Sequence, residues 1–76
     1  MSIGEGNHFA KTAYLTPRNI EILQHIAVGI TFSEIARRYC VGNPAIHRHT
    51  RQIKDRLGAT TLPNAIYIAL ERGLIK

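Results

Sequence analysis

The segment TFSEIARRYCVGNPAIHRHTRQIKDRLG, residues 31–58, decides the fold. Its first four residues have the spacing of a capping box, in which the Thr31 hydroxyl accepts from the Glu34 amide and the Glu34 carboxylate accepts from the Thr31 amide. A short helix with one buried face is predicted to follow. Its inward-facing positions are Ile35, Ala36 and Tyr39.

A tight break separates this helix from the next one. Gly42 permits a sharp turn, and Pro44 at the start of a helix sacrifices no hydrogen bond. At about 100° per residue, one narrow side of the next helix is apolar, and we expect it to be buried. That side carries Ile46, Ile53 and Leu57, and the opposite, exposed side carries His47, Arg48, Arg51 and Asp55. Two helices joined by so short a turn predict a helix-turn-helix unit.

Flanking helices are predicted on both sides of this unit. Thr16 with Pro17 starts a helix that ends at Gly29, and Thr61 with Pro63 starts another that runs to about Arg72, after a C-cap at Gly58. The positions predicted to face the core are Ile22, Leu23, Ile26 and Ala27 in the former helix, and Ala65, Ile66, Ala69 and Leu70 in the latter. The predicted fold class is all-α, a four-helix bundle at residues 15–76, preceded by a flexible N-terminal arm at residues 1–14.

The charge of the chain is concentrated in the helix-turn-helix segment. The 76 residues have a formal net charge of +5, and six basic residues against Glu34 and Asp55 place +4 of it between residues 31 and 58. A solvated helix surface carries interspersed signs, whereas a cluster of one sign favours a polyanionic partner. One small domain with a modest core also leaves little room for a large active-site cavity.

Several other function classes find little support in the sequence. Neither a Ser-His-Asp grouping nor a glycine-rich phosphate loop is present, so we expect no enzyme and no cofactor. His47 and His49 are two residues apart and point in different directions, which disfavours a metal site. The single cysteine, Cys40, is predicted to be a small packing residue, and no run of apolar residues is long enough for a membrane span. A reducing cytoplasm is therefore the expected location.

Short motifs follow one another in a fixed order along most of the chain, and no single motif is specific by itself. The motifs are LTPR at 15–18, EIL at 21–23, the break at Gly29, EIARR at 34–38, Ile46 with His49, Ile53, and LG at 57–58. From about Leu15 to Ile75, this ordered set resembles the DNA-binding domain of the LuxR/GerE family. The chain departs from the family pattern at Asn19, Gly42, Ala45 and His47.

The resemblance implies a four-helix fold that works as a homodimer on double-stranded DNA, with the third helix in the major groove and the fourth at the dimer contact. It also implies a location at the nucleoid of a bacterial cytoplasm. By position, it implies base contacts by His47, Arg48 and Arg51, and phosphate contacts by Asn43, Gln52, Lys54 and Arg56. On the fourth helix, Tyr67 and Ile68 are predicted to lie on the outer side. The expected dimer contacts are Asn64, Tyr67, Ile68 and Glu71.

Alternatives remain open at this point. With an initiator Met and a short arm, the chain resembles the stand-alone members of the family, and a piece of a longer protein is the other possibility. The rival function is a protein-interaction module, such as an antagonist of a related regulator that kept the fold but not specific DNA reading. RNA binding is disfavoured because the chain lacks an exposed aromatic platform for stacking bases. RNA polymerase is a further candidate partner.

Overall fold

The computed structural model describes residues 15–76, so the arm predicted at residues 1–14 lies outside the described part. This part contains α1 (Pro17–Ala27), α2 (Phe32–Arg38), α3 (Asn43–Leu57) and α4 (Leu62–Glu71), and no strand. The predicted all-α class is therefore confirmed. Within residues 15–76, none of the helices is long and apolar enough to cross a membrane.

Threonine hydroxyls cap three of the helices, as the sequence predicts. Thr16 accepts from the Asn19 amide at 3.0 Å, and Thr61 accepts from the Asn64 amide at 3.1 Å. Such caps satisfy backbone donors that have no partner within the helix.

The capping box predicted at the start of α2 forms only in half. The Thr31 hydroxyl accepts from the Glu34 amide at 3.2 Å, but the Glu34 carboxylate lies 2.9 Å from Arg37 and 3.5 Å from Arg38. The two arginines on the next turn of the helix thus attract the carboxylate that the box would have used. The reciprocal half of the prediction is wrong.

The turn between α2 and α3 begins with a Schellman motif. The Val41 amide donates to the Ala36 carbonyl at 2.9 Å, and the Cys40 amide donates to the Arg37 carbonyl at 3.2 Å. Cys40 takes the left-handed conformation, with φ of 57°, and its side chain is exposed. The prediction that Cys40 is a packing residue is wrong, because the position just after a helix end lies on the surface of the turn.

The core has two parts that meet at α3. One lies between α1, α3 and α4 and contains Leu15, Leu23, Ile53, Leu57, Ala65, Ala69 and Ile75. The other lies between α1, α2 and α3 and contains Ile22, Ile35, Ala36 and Ile46. Because α3 contributes to both parts along one side, its opposite side is left exposed.

The rotation of α4 differs from the prediction at two residues. Ala65 and Ala69 are fully buried, and Ile66 and Ile68 pack against the same core from either side of them. Leu70, predicted to be buried, is 48% exposed, whereas Ile68, predicted to lie outside, is half-buried. The two small alanines let α4 approach the core closely, so its buried stripe is centred on them and Leu70 turns outward.

Candidate nucleic-acid interface

The exposed side of α3 presents a ridge of polar side chains. His47, Arg48, Arg51 and Asp55 are all exposed, as predicted, because Ile46, Ile53 and Leu57 are buried on the opposite side. A single α-helix with such a side fits the width of a DNA major groove. We call these four residues the α3 ridge.

The basic residues of α3 form no ion pair within residues 15–76, although Asp55 lies on the same ridge one helical turn from Arg51. Within residues 15–76, the ion pairs join Glu34 to Arg37 and Arg38, and Glu21 to Arg18 at 3.7 Å. Arg48, Arg51 and Lys54 take part in none of them. Their charges are therefore available to an anion that approaches α3.

The ring of His47 packs against the first residue of α2. The His47 ring meets the Phe32 ring at its edge, with ring centroids 4.8 Å apart and the planes at 66°. Within α3, the hydroxyl of the buried Thr50 donates to the backbone carbonyl of His47 at 2.8 Å, a bond that does not hold the His47 ring. Neither Phe32 nor Thr50 is among the predicted site residues, and the contact between Phe32 and His47 forms only once α2 packs against α3.

The residues predicted to contact phosphates lie on two flanks of the α3 ridge. At 100° per residue, Asn43 and Lys54 share the flank nearer His47, whereas Gln52 and Arg56 share the other. Asn43 also donates from its amide to the Ser33 hydroxyl at 3.2 Å, which joins the first turns of α2 and α3. Two flanks around one ridge match the two phosphate strands that border a groove.

A buried amide lies beneath the flank that carries Arg56. Asn19 is 0% exposed, and its Oδ1 accepts from the Arg56 guanidinium at 2.9 Å. Its Nδ2 lies 3.1 Å from Nδ1 of His49. Burial, followed by the nearby Arg18 and Arg48, lowers the pKa of His49. Asn19 is not among the predicted site residues, although its place three residues after the Thr16 cap is that of the partner in a capping box.

Tyr39, at the end of α2, links the helix-turn-helix to α1. The guanidinium of Arg18 lies 4.3 Å from the centre of the Tyr39 ring, and the Tyr39 hydroxyl donates to Glu21 at 2.9 Å. Burial and the bond to Glu21 raise the pKa of Tyr39. These contacts fix the end of α2 relative to α1, and hence the place of the turn.

The residues predicted for dimer contact lie together on the outer part of α4. The Tyr67 hydroxyl donates to Glu71 at 3.1 Å, and the Asn64 side chain accepts from the Thr60 amide at 3.1 Å. Tyr67 is 59% exposed, and Leu70 lies beside it on the same surface. The structure thus adds Leu70 to this surface and leaves Ile68 at its edge.

The short turn between α2 and α3, the basic ridge of α3 and the two supporting helices together define a helix-turn-helix domain. Residues 13–69 match the GerE family model, described as bacterial regulatory proteins of the luxR family. The chain belongs to this family, which confirms the resemblance found in the sequence.

Two relatives of the chain are named as regulators of transcription. The chain is 26% identical over 73 residues to the transcriptional activator protein ExaE of Pseudomonas putida, an alignment that covers 96% of this chain and 34% of the relative. It is 34% identical over 61 residues to the transcriptional regulatory protein MctR of Rhizobium johnstonii, covering 80% of this chain and 28% of the relative. The chain therefore spans about a third of the length of these relatives.

Proposed function

We propose that the protein is a sequence-specific regulator of transcription that reads the major groove of double-stranded DNA with α3. The observation that carries this proposal is the α3 ridge, on which Arg48 and Arg51 are exposed and have no carboxylate partner within residues 15–76. The names of the two relatives, an activator and a regulator of transcription, support the same function.

Base reading is assigned to the centre of the ridge. The arginine side chain donates two parallel hydrogen bonds to O6 and N7 of guanine, and this suits Arg48 and Arg51. His47 offers one ring nitrogen to a base edge, and its contact with Phe32 limits the directions in which the ring can turn. These three residues supply the sequence preference.

Phosphate contacts are assigned to the flanks. Asn43 and Lys54 lie toward one strand and Gln52 and Arg56 toward the other, so that α3 is held at a fixed depth and angle in the groove. Such contacts carry no sequence information and make the affinity depend on salt.

The protein acts as a homodimer that pairs through α4. Support comes from Tyr67 and Leu70, which leave an apolar area exposed beside the polar Asn64 and Glu71. Exposed apolar area that is rimmed by polar groups is typical of a contact surface. Two copies related by a two-fold axis then bind two half-sites of a palindrome.

The place of action is the cytoplasm, at the chromosome, and RNA polymerase is a candidate partner there.

Binding to a labelled duplex at increasing salt tests the proposal. We expect the logarithm of the affinity to fall linearly with the logarithm of the salt concentration, because bound phosphates release counterions. Arg51→Ala should weaken binding more than Arg72→Ala, which removes the same charge at the end of α4. Weak affinity for every duplex, with little dependence on salt, would instead favour a protein-interaction module.

A further inference from the structure

The orientation of the Asn19 amide follows from its neighbours. Oδ1 accepts from the Thr16 backbone amide at 3.2 Å and from the Arg56 guanidinium at 2.9 Å. Both partners are donors only, so the oxygen of the amide must face them and the nitrogen must face His49.

This orientation also sets the proton position on His49. Nδ2 of Asn19 can only donate, and it lies 3.1 Å from Nδ1 of His49, so Nδ1 must carry a lone pair. The ring is then neutral, with its proton on Nε2. The charged groups that bear on this ring are Arg18 from α1 and Arg48 from α3, and both disfavour a second proton.

Because the Asn19 side chain is uncharged, it leaves the positive charge of Arg56 intact. The amide oxygen gives the guanidinium a hydrogen bond without cancelling its charge, whereas a carboxylate at the same place would form an ion pair with it. Arg56 is partly exposed and lies beside Gln52 on one flank of the α3 ridge. It is therefore held in place and still fully charged.

We propose that Asn19 is a positioning residue, which holds Arg56 for a DNA phosphate and fixes the His49 ring with its proton on Nε2. The part that concerns DNA rests on the function proposed above. Asn19 itself is buried and touches no DNA. It acts through two α3 residues that lie 30 and 37 positions further along the chain.

The first test needs no DNA. Long-range proton–nitrogen NMR of the wild-type protein at a pH above the His49 pKa should show an unprotonated Nδ1 and a protonated Nε2. In Asn19→Asp, which keeps the shape of the side chain, the new carboxylate must accept from the ring, so the proton should move to Nδ1. A wild-type ring with its proton on Nδ1 overturns the proposal, even if the variant fails to fold.

The second test measures the salt dependence of binding to a random duplex. Arg56→Gln should reduce the slope by about one per protomer, as expected for the loss of one phosphate contact. Asn19→Asp should reduce the slope by the same amount although Arg56 is still present, because the new carboxylate forms an ion pair with the guanidinium. The double variant should have the same slope as Arg56→Gln. Gln24→Glu adds the same charge on α1 and retains the oxygen that accepts from the Lys76 amide, so its slope should match the wild type.

The outcomes separate the two proposals. If the wild type binds no duplex in a salt-dependent way, the proposed function fails. If the wild type binds but Arg56→Gln leaves the slope unchanged, or a folded Asn19→Asp does so, the role of Asn19 toward DNA is wrong and the proposed function stands.

Discussion

Asn19 and His49 are joined by a hydrogen bond of 3.1 Å between Nδ2 and Nδ1, which ties the first turn of α1 to the middle of α3. Because the folded chain lowers the pKa of His49, the unfolded chain takes up the proton first as the pH falls. The unfolded state then binds more protons than the native state, and the stability decreases. The burial of His49, together with the nearby Arg18 and Arg48, therefore makes the stability of the fold depend on pH.

We expect the free energy of unfolding to fall as the pH is lowered from about 7.5 to about 5, through the ordinary pKa of histidine. His49→Gln retains an acceptor for Asn19 and does not titrate, so it should remove part of that fall. Urea unfolding, followed by circular dichroism at several pH values, gives the free energy of unfolding of the wild type and of the variant. An identical pH dependence in the two would contradict the proposed linkage.

Arg51 and Lys54 should differ in what they contribute to DNA binding. Arg51→Ala should cost about 1–3 kcal/mol of discrimination between a specific and a random duplex, because it removes a base contact. Lys54→Ala should weaken both duplexes alike and reduce the salt slope by about one per protomer. Fluorescence anisotropy with both duplexes gives these values, and equal behaviour of the two variants would refute the division of roles.

A charge placed on the outer surface of α4 should prevent self-association. Tyr67→Asp puts a carboxylate next to Glu71 on the proposed dimer surface, and we expect sedimentation equilibrium to show a shift from twice 8.5 kDa toward 8.5 kDa. Val28→Asp is the matched control, since Val28 is 66% exposed at the end of α1, outside that surface. If Tyr67→Asp has the same sedimentation mass as Val28→Asp and the wild type, the assignment of the dimer surface to α4 is wrong.

Because the backbone at Cys40 is left-handed, we expect replacement of this residue by glycine to raise the free energy of unfolding. A non-glycine residue at such a φ costs about 1–2 kcal/mol, whereas glycine adopts it freely and loses about 0.5–1 kcal/mol of chain entropy. Cys40→Gly should therefore stabilise the protein by roughly 0.5 kcal/mol, while Cys40→Ala, which keeps a Cβ, should not. Thermal unfolding of both variants measures the difference, and equal effects would mean that strain at this position is negligible.

The parts of the fold that depend on local chemistry could be predicted from the sequence. The starts of α1, α2 and α4 follow from threonine caps at Thr16, Thr31 and Thr61, whose partners lie three residues away. The exposed side of α3 followed in the same way from the period of its apolar residues. Local spacing alone was enough for these features.

Features that depend on tertiary packing could not be predicted in this way. The rotation of α4 depends on how closely Ala65 and Ala69 approach the core, and helical periodicity alone does not distinguish Leu70 from Ile68 as the buried residue. Likewise, the bonds of Asn19 to His49 and Arg56 appear only when α1 and α3 are packed together.

Selection of bound sequences from a random duplex pool, with purified protein at near-physiological salt, tests the central claim most directly. We expect an enriched motif with two-fold symmetry, which Arg51→Ala loses or relaxes at one position in each half-site. No enrichment by the folded wild-type protein would contradict the claim that α3 reads DNA sequence.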